Sequence, residues 1–121
     1  MARVLVVDDS GLVRDTHTAM LAEGGHEVRQ AADGAEALEL LLAERFDLIV
    51  SDVMMPHMDG IELTRRVRAA DGYRHTPVIL VSTEAQARDR LNGLRAGANV
   101  YVVKPVRPGF LLQNARLLLG R

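Results

Sequence analysis

No cysteine occurs in the 121 residues. Disulfides and thiolate metal centres are therefore excluded, and the composition is compatible with a reducing compartment. No sign of charge dominates either: fifteen basic side chains stand against sixteen acidic ones, a formal net charge of -1. Such a balance lacks the basic field that non-specific nucleic-acid binding needs, so no direct contact with DNA or RNA is expected. Long apolar runs are missing as well. The opening MARVLVV gives way to acids at Asp8, too short a run for a secretion signal or a spanning helix, and the expectation is a soluble cytoplasmic domain with no membrane partner. What is present, 48% hydrophobic and 26% charged residues over this length, suffices for one globular domain spanning residues 1–121 and is too little for two. No linker, internal repeat or low-complexity segment interrupts it.

Short apolar runs recur at Val4 to Val7, Leu48 to Val50, Val78 to Val81 and Val100 to Val103. Runs of this kind, rich in Val and Ile, are typical of parallel strands covered on both faces. A fifth run, HEVRQA from His26, alternates polar and apolar residues as an edge strand does. Between the runs the spacing becomes helical. Leu12, Val13, Ala19 and Met20 mark a first helix ended by Gly24 and Gly25, and Leu38, Leu41 and Leu42 mark a second. Leu63, Val67 and Ala70 predict a third helix after Gly60. Ala87, Leu91, Leu94 and Ala98 repeat at helical intervals in a fourth, and Leu111, Ala115 and Leu118 predict a fifth after Pro108. Strict β-α alternation, five times over, predicts an α/β fold in which one parallel sheet carries helices on both faces.

In open sheets of this type ligands gather outside the carboxyl ends of the strands. Asp8 and Asp9 close the first strand, Asp52 the third, Ser82 the fourth and Lys104 the fifth. Three crowded carboxylates resist ionisation unless a cation joins them, and oxygen-only donors favour a hard ion, Mg²⁺ above all. A metal, a lysine and a hydroxyl around one spare carboxylate describe a phosphoryl-transfer site, with Asp52 as nucleophile.

These residues carry a resemblance. VDDS near the start, SDVMMPHMDG in the middle, VST after the fourth strand and YVVKP after the fifth resemble, in order and across nearly the whole chain, the receiver domain of two-component response regulators. The resemblance implies a (βα)5 doubly wound, flavodoxin-like sheet in the order 2-1-3-4-5, with a cis peptide before Pro105. It makes Asp52 the phosphoacceptor, with Asp8, Asp9 and the Met54 backbone carbonyl holding Mg²⁺. Lys104 and Ser82 would contact the phosphoryl group, and Tyr101 would be the switch aromatic. A histidine kinase or phosphotransfer domain is the implied donor. A downstream protein target or output domain would read the surface of the fourth helix, fifth strand and fifth helix. The expected state is a monomer or a weak phosphorylation-dependent dimer, which catalyses only its own phosphorylation and dephosphorylation. The chain ends soon after its fifth helix, so no output domain of its own is expected; the receiver is free-standing or part of a larger regulator.

Blander roles stand beside these. Asp9 or Ser10 suits an N-cap of the first helix. Met54, Met55 and Met58 read as apolar filler in a loop packed over the sheet, since no Cys or spaced His joins them. His17, His26, His57 and His75 lack ligand spacing and are expected at the surface. Arg88, Arg90 and Arg95 are expected on a solvated face bordering the signalling surface, and Tyr101 could be ordinary strand packing. Thr83 is bulkier than the usual residue beside the site. Met54 and Glu84 occupy positions that tune phosphoryl loss in the family, and a thioether cannot orient a water, so self-dephosphorylation is expected to be slow. Three other classes remain. A Mg²⁺-dependent phosphohydrolase would want Asp-x-Asp after the first strand and a cap insertion, a flavin carrier a Ser/Thr/Gly-rich phosphate loop there, and a pure docking module would not need Asp52 and Lys104.

Overall fold

The structure, a computed structural model, describes residues 2–83 and 90–120. Its elements follow the predicted alternation: β1 (Arg3–Val7), α1 (Gly11–Ala22), β2 (Glu27–Ala31), α2 (Gly34–Ala43), β3 (Leu48–Asp52), α3 (Gly60–Ala69), β4 (Val78–Ser82), α4 (Arg90–Ala96), β5 (Val100–Val103) and α5 (Pro108–Leu119). All strand pairs are parallel, in the order β2-β1-β3-β4-β5. This is the doubly wound, flavodoxin-like arrangement that the resemblance implies.

Alternation along each strand divides the core into two layers. Leu5, Val7, Ile49, Leu80 and Tyr101 point to the layer completed by Ala37 and Leu41 of α2 and Leu63 and Val67 of α3. Val4, Val6, Val50, Ile79 and Val102 point to the other, completed by Leu21 of α1 and Leu111 and Ala115 of α5. β2, with its half-exposed pattern, forms one edge as expected, and β5 forms the other. Helix starts are set by short polar side chains that accept from the first free backbone N–H groups: Ser10 from Val13, Asp33 from Glu36 and Asp59 from Glu62. α5 instead begins with Pro108, whose missing N–H costs nothing there. Among the described residues no helix is long and apolar enough to cross a membrane.

Several predicted helix faces turn out differently. α1 buries His17 and Leu21, while Leu12 is 79% exposed; the phase follows Leu21, and His17 lies one turn before it. His26 is buried too, its ring packed within 3.3 Å of the Cβ position of Gly24. Both histidines thus depart from the expected surface placement, whereas His57 and His75 are exposed. Leu42 is 89% exposed beside buried Ala37 and Leu41. In α4 the residue facing the sheet is Gly93, because any Cβ there would meet Leu80 at 2.9 Å and Tyr101 at 3.2 Å. Leu91 and Leu94 consequently point outward, and Ala98 is the one buried residue among the described members of that series. Ala87 lies outside the described residues.

Candidate functional site

Parallel register brings the carboxyl ends of four strands to one edge. Asp8 directly follows β1, Asp52 ends β3, Ser82 ends β4 and Lys104 follows β5. Asp52 pairs in register with Val81, and Ser82 with Val103, so the hydroxyl lies one step beyond the acid's neighbour. Asp8, Asp52 and Ser82 are buried, Asp9 is exposed, and Lys104 reaches in from a half-buried position.

The charges meet closely. Lys104 Nζ lies 3.2 Å from Asp52 Oδ1 and 3.4 Å from Asp8 Oδ2. Carboxylate oxygens of Asp8, Asp9 and Asp52 all fall within 4.8 Å of one another. Burial first, and the Asp8 charge second, hold the Asp52 carboxyl above its ordinary pKa; Lys104 pulls it the other way without cancelling them. One lysine therefore leaves the cluster short of positive charge. That shortfall, with a donor set made only of oxygens, fits a hard divalent cation held by Asp8, Asp9 and Asp52.

Backbone geometry fixes these side chains. Ser10 N donates to Asp8 Oδ1 at 2.9 Å, while the same serine's hydroxyl caps α1, so the capping role and the aim of Asp8 belong to one turn. Arg14 braces that turn by donating to the Asp8 carbonyl at 2.6 Å and to Gln30 Oε1 at 3.2 Å. On the other side Gly60 N donates to the Val53 carbonyl at 2.8 Å. A Cβ on Gly60 would sit 2.2 Å from the Asp52 carbonyl oxygen, so only glycine lets α3 start this close to the acid. The intervening loop contains His57 at φ 69°, buried Met55, half-buried Met58 and Met54, which is 61% exposed.

The remaining expected residues fall as follows. Ser82 Oγ donates to the Thr83 carbonyl at 3.2 Å, and Thr83 is exposed. Tyr101 is buried against Gly93. The Lys104-Pro105 peptide is cis. Arg90 and Arg95 are exposed, while Glu84 and Arg88 lie outside the described residues. Two neighbours escaped the reading of the sequence. Arg14, the brace, carries no local signal. His17 was legible only through helical phase: with Thr83, Lys104 and Pro105 it lines a cleft of about 470 Å³, and burial lowers its pKa. Lys104 had a plainer mark, being the single lysine of the chain.

Residues 4–116 match the model of the response regulator receiver domain. The chain belongs to that family. The response regulator MprA of Mycolicibacterium vanbaalenii is 40% identical over 119 residues, covering 98% of this chain and 51% of MprA. The chain thus spans about half the length of that relative. The chemotaxis protein CheY4 of Vibrio cholerae superposes with a TM-score of 0.91 at 41% identity, over 98% of each chain. The receiver domain of a sensor histidine kinase from Pseudomonas aeruginosa PAO1, with a magnesium ion coordinated in its active site cleft, gives a TM-score of 0.90 at 32% identity, covering 99% of this chain and 98% of the other. This chain is accordingly a signalling receiver domain of the two-component type, and its acidic cluster is a set of residues able to hold a metal.

Proposed function

We propose that residues 1–121 form one receiver that accepts a phosphoryl group on Asp52 and works as a population switch. The observation that carries this reading is the cluster itself: a buried acid at the end of β3, two further acids, and the Lys104 ammonium 3.2 Å away. Asp8, Asp9, Asp52 and the Met54 backbone carbonyl would hold Mg²⁺. When bound, the ion neutralises phosphoryl oxygens and the crowded carboxylates. Support for this ion comes from the magnesium-containing Pseudomonas receiver.

The chain's own groups do the rest. Asp52, held by the α3 start, presents a carboxylate oxygen in line with phosphorus of a phosphohistidine on a partner kinase or phosphotransfer domain. A P–N bond breaks, a P–O bond forms, and the product is an acyl phosphate. Lys104 moves from pairing with the Asp52 carboxylate to pairing with the phosphoryl oxygens. Ser82 exchanges its weak bond to the Thr83 carbonyl for one to the phosphate. That movement frees space which Tyr101 takes, altering the α4-β5-α5 surface read by a downstream target. The phosphate biases states only through such differential contacts. Exposed Met54 cannot orient an attacking water, so the acyl phosphate is long-lived, and Met54→Asn shortens its lifetime. The setting is the cytoplasm, where histidine kinases present their phosphohistidine.

Intact-protein mass spectrometry after incubation with acetyl phosphate and Mg²⁺ tests the reading. One added phosphoryl group on the native chain, absent in Asp52→Asn and abolished by chelation, is the expected result. No gain from acetyl phosphate or from a phosphorylated histidine kinase would overturn it in favour of an unphosphorylated docking module.

A further inference from the structure

The cleft of about 470 Å³ beside the acid cluster runs between α1 and the chain just after β5. Val13, His17 and Met20 follow one another at i, i+4 and i+7, so a single face of α1 supplies one wall. Val106 belongs to the other side, and Leu12, 79% exposed, lines the cleft from the solvent side. Lys104 lines it as well, but its ammonium is already shared between Asp52 at 3.2 Å and Asp8 at 3.4 Å.

His17 is the residue out of place. It is only 5% exposed, yet its ring forms no hydrogen bond or ion pair with any described residue. Burial outweighs the opposed charges of Asp8 and Lys104 and lowers its pKa. At neutral pH the ring is therefore the uncharged imidazole, with one N–H donor and one bare nitrogen that accepts. Leu21, one turn further along α1, is the other buried residue of this helix and brings only apolar atoms inward. Packing asks for nothing more at position 17. An imidazole there gives up water around its nitrogens and gains no partner from the described chain in return. A buried acceptor in an otherwise apolar wall is completed by what enters the cleft.

We propose that this cleft binds a small, uncharged aromatic molecule carrying one N–H or O–H group, with His17 as its hydrogen-bond acceptor. The volume is that of a pocket for a molecule of one or two rings. Its branched aliphatic walls and the Met20 thioether suit a flat, polarizable body. Charge decides against an acid: among the described residues three carboxylates gather around the one lysine, and an anionic ligand would add to that surplus. A cation would give up its water to walls that are mostly apolar. A hydrocarbon would displace the water that serves His17 and put nothing in its place. The site touches Lys104 but needs neither a metal nor phosphorylation of Asp52, so its failure and the failure of the switch are separate results.

The probes are indole, its isostere indene, which lacks the N–H, and indole-2-carboxylate, each titrated into the full chain and followed by amide and imidazole NMR resonances. Indole is expected to saturate with a Kd below about 1 mM, moving the signals of Val13, His17, Met20 and Val106. Indene should bind about three- to tenfold more weakly, the worth of one neutral hydrogen bond, and the carboxylate more weakly than indole. His17→Leu keeps this face of α1 apolar and should bind indole and indene equally. His17→Gln, which retains an acceptor, should restore part of the preference for indole. No saturable binding of indole, shifts centred on another face, tighter binding of the carboxylate, or a preference for indole that survives His17→Leu would overturn the proposal.

Discussion

At the amino ends of the strands, charges are paired or held by neutral hydrogen-bond acceptors. Arg3 joins Glu44 and Glu27, Arg29 reaches Glu44 at 3.0 Å, and the Arg3 amide donates to Asp47 at 2.9 Å. Arg68, half-buried and without a carboxylate partner among the described residues, spends its donors on the carbonyls of Gly97, Tyr73 and Thr76 and on the Asn99 amide oxygen. At the carboxyl ends the opposite holds: three carboxylates share one lysine. Charges that hold a fold together are paired or hydrogen-bonded within it. Charges left in surplus in a buried place are what a cation or a phosphoryl group completes.

The contrast can be broken from either end. The largest effect is expected from Lys104→Met, which removes the cation paired with Asp8 and Asp52 at the open end. Phosphorylation by acetyl phosphate, followed as mass gain over time, should slow by roughly 100-fold or more, as when one charge-stabilising donor is lost. Next comes the closed end. Arg68→Met would remove the side-chain donor shared by carbonyls of two loops, at Tyr73 and Thr76 and at Gly97, and urea unfolding should show a loss of about 2 kcal/mol with no loss of phosphoryl acceptance.

A gain is expected from Asp52→Asn in metal-free buffer. Since folding raises the Asp52 pKa, its stabilising protonation is complete below the unfolded carboxylate value and is lost as pH rises through the folded one. The variant should therefore be more stable than the native chain at neutral pH, on the order of 1 kcal/mol. The difference should vanish on acidification below the ordinary Asp pKa; a native chain equally stable at both pH values would show that the cluster carries no surplus charge. The smallest effect belongs to the exposed pairs of Glu62 with Arg65 and Arg66. Glu62→Gln should lower Tm slightly in low salt and not at all in high salt.

The sequence made parts of this contrast plain and hid others. Asp8, Asp52, Ser82 and Lys104 were legible because each interrupts or follows a Val-rich run, and such runs end where a parallel strand ends. Tyr101 and the cis peptide before Pro105 came through resemblance alone. The Arg68 cluster was invisible, since its partners lie up to 31 residues away and are mostly backbone. α1 and α4 misled in the same manner: Leu12, Leu91 and Leu94 have core-like character, yet His17 and Gly93 face inward. In α4 the decisive quantity was the room between helix and sheet, where a Cβ would meet Leu80 at 2.9 Å, and hydrophobicity does not encode that distance.

By itself the sequence determined the order of the elements, the two-sided burial of the sheet and the identity of the polar residues at its carboxyl edge, because these follow from side-chain periodicity. Only the tertiary structure decided that Asp8 and Lys104, 96 residues apart, stand 3.4 Å from one another, and which face each helix buries. Periodicity marks a face, whereas a distance arises only when parallel register sets strand ends side by side.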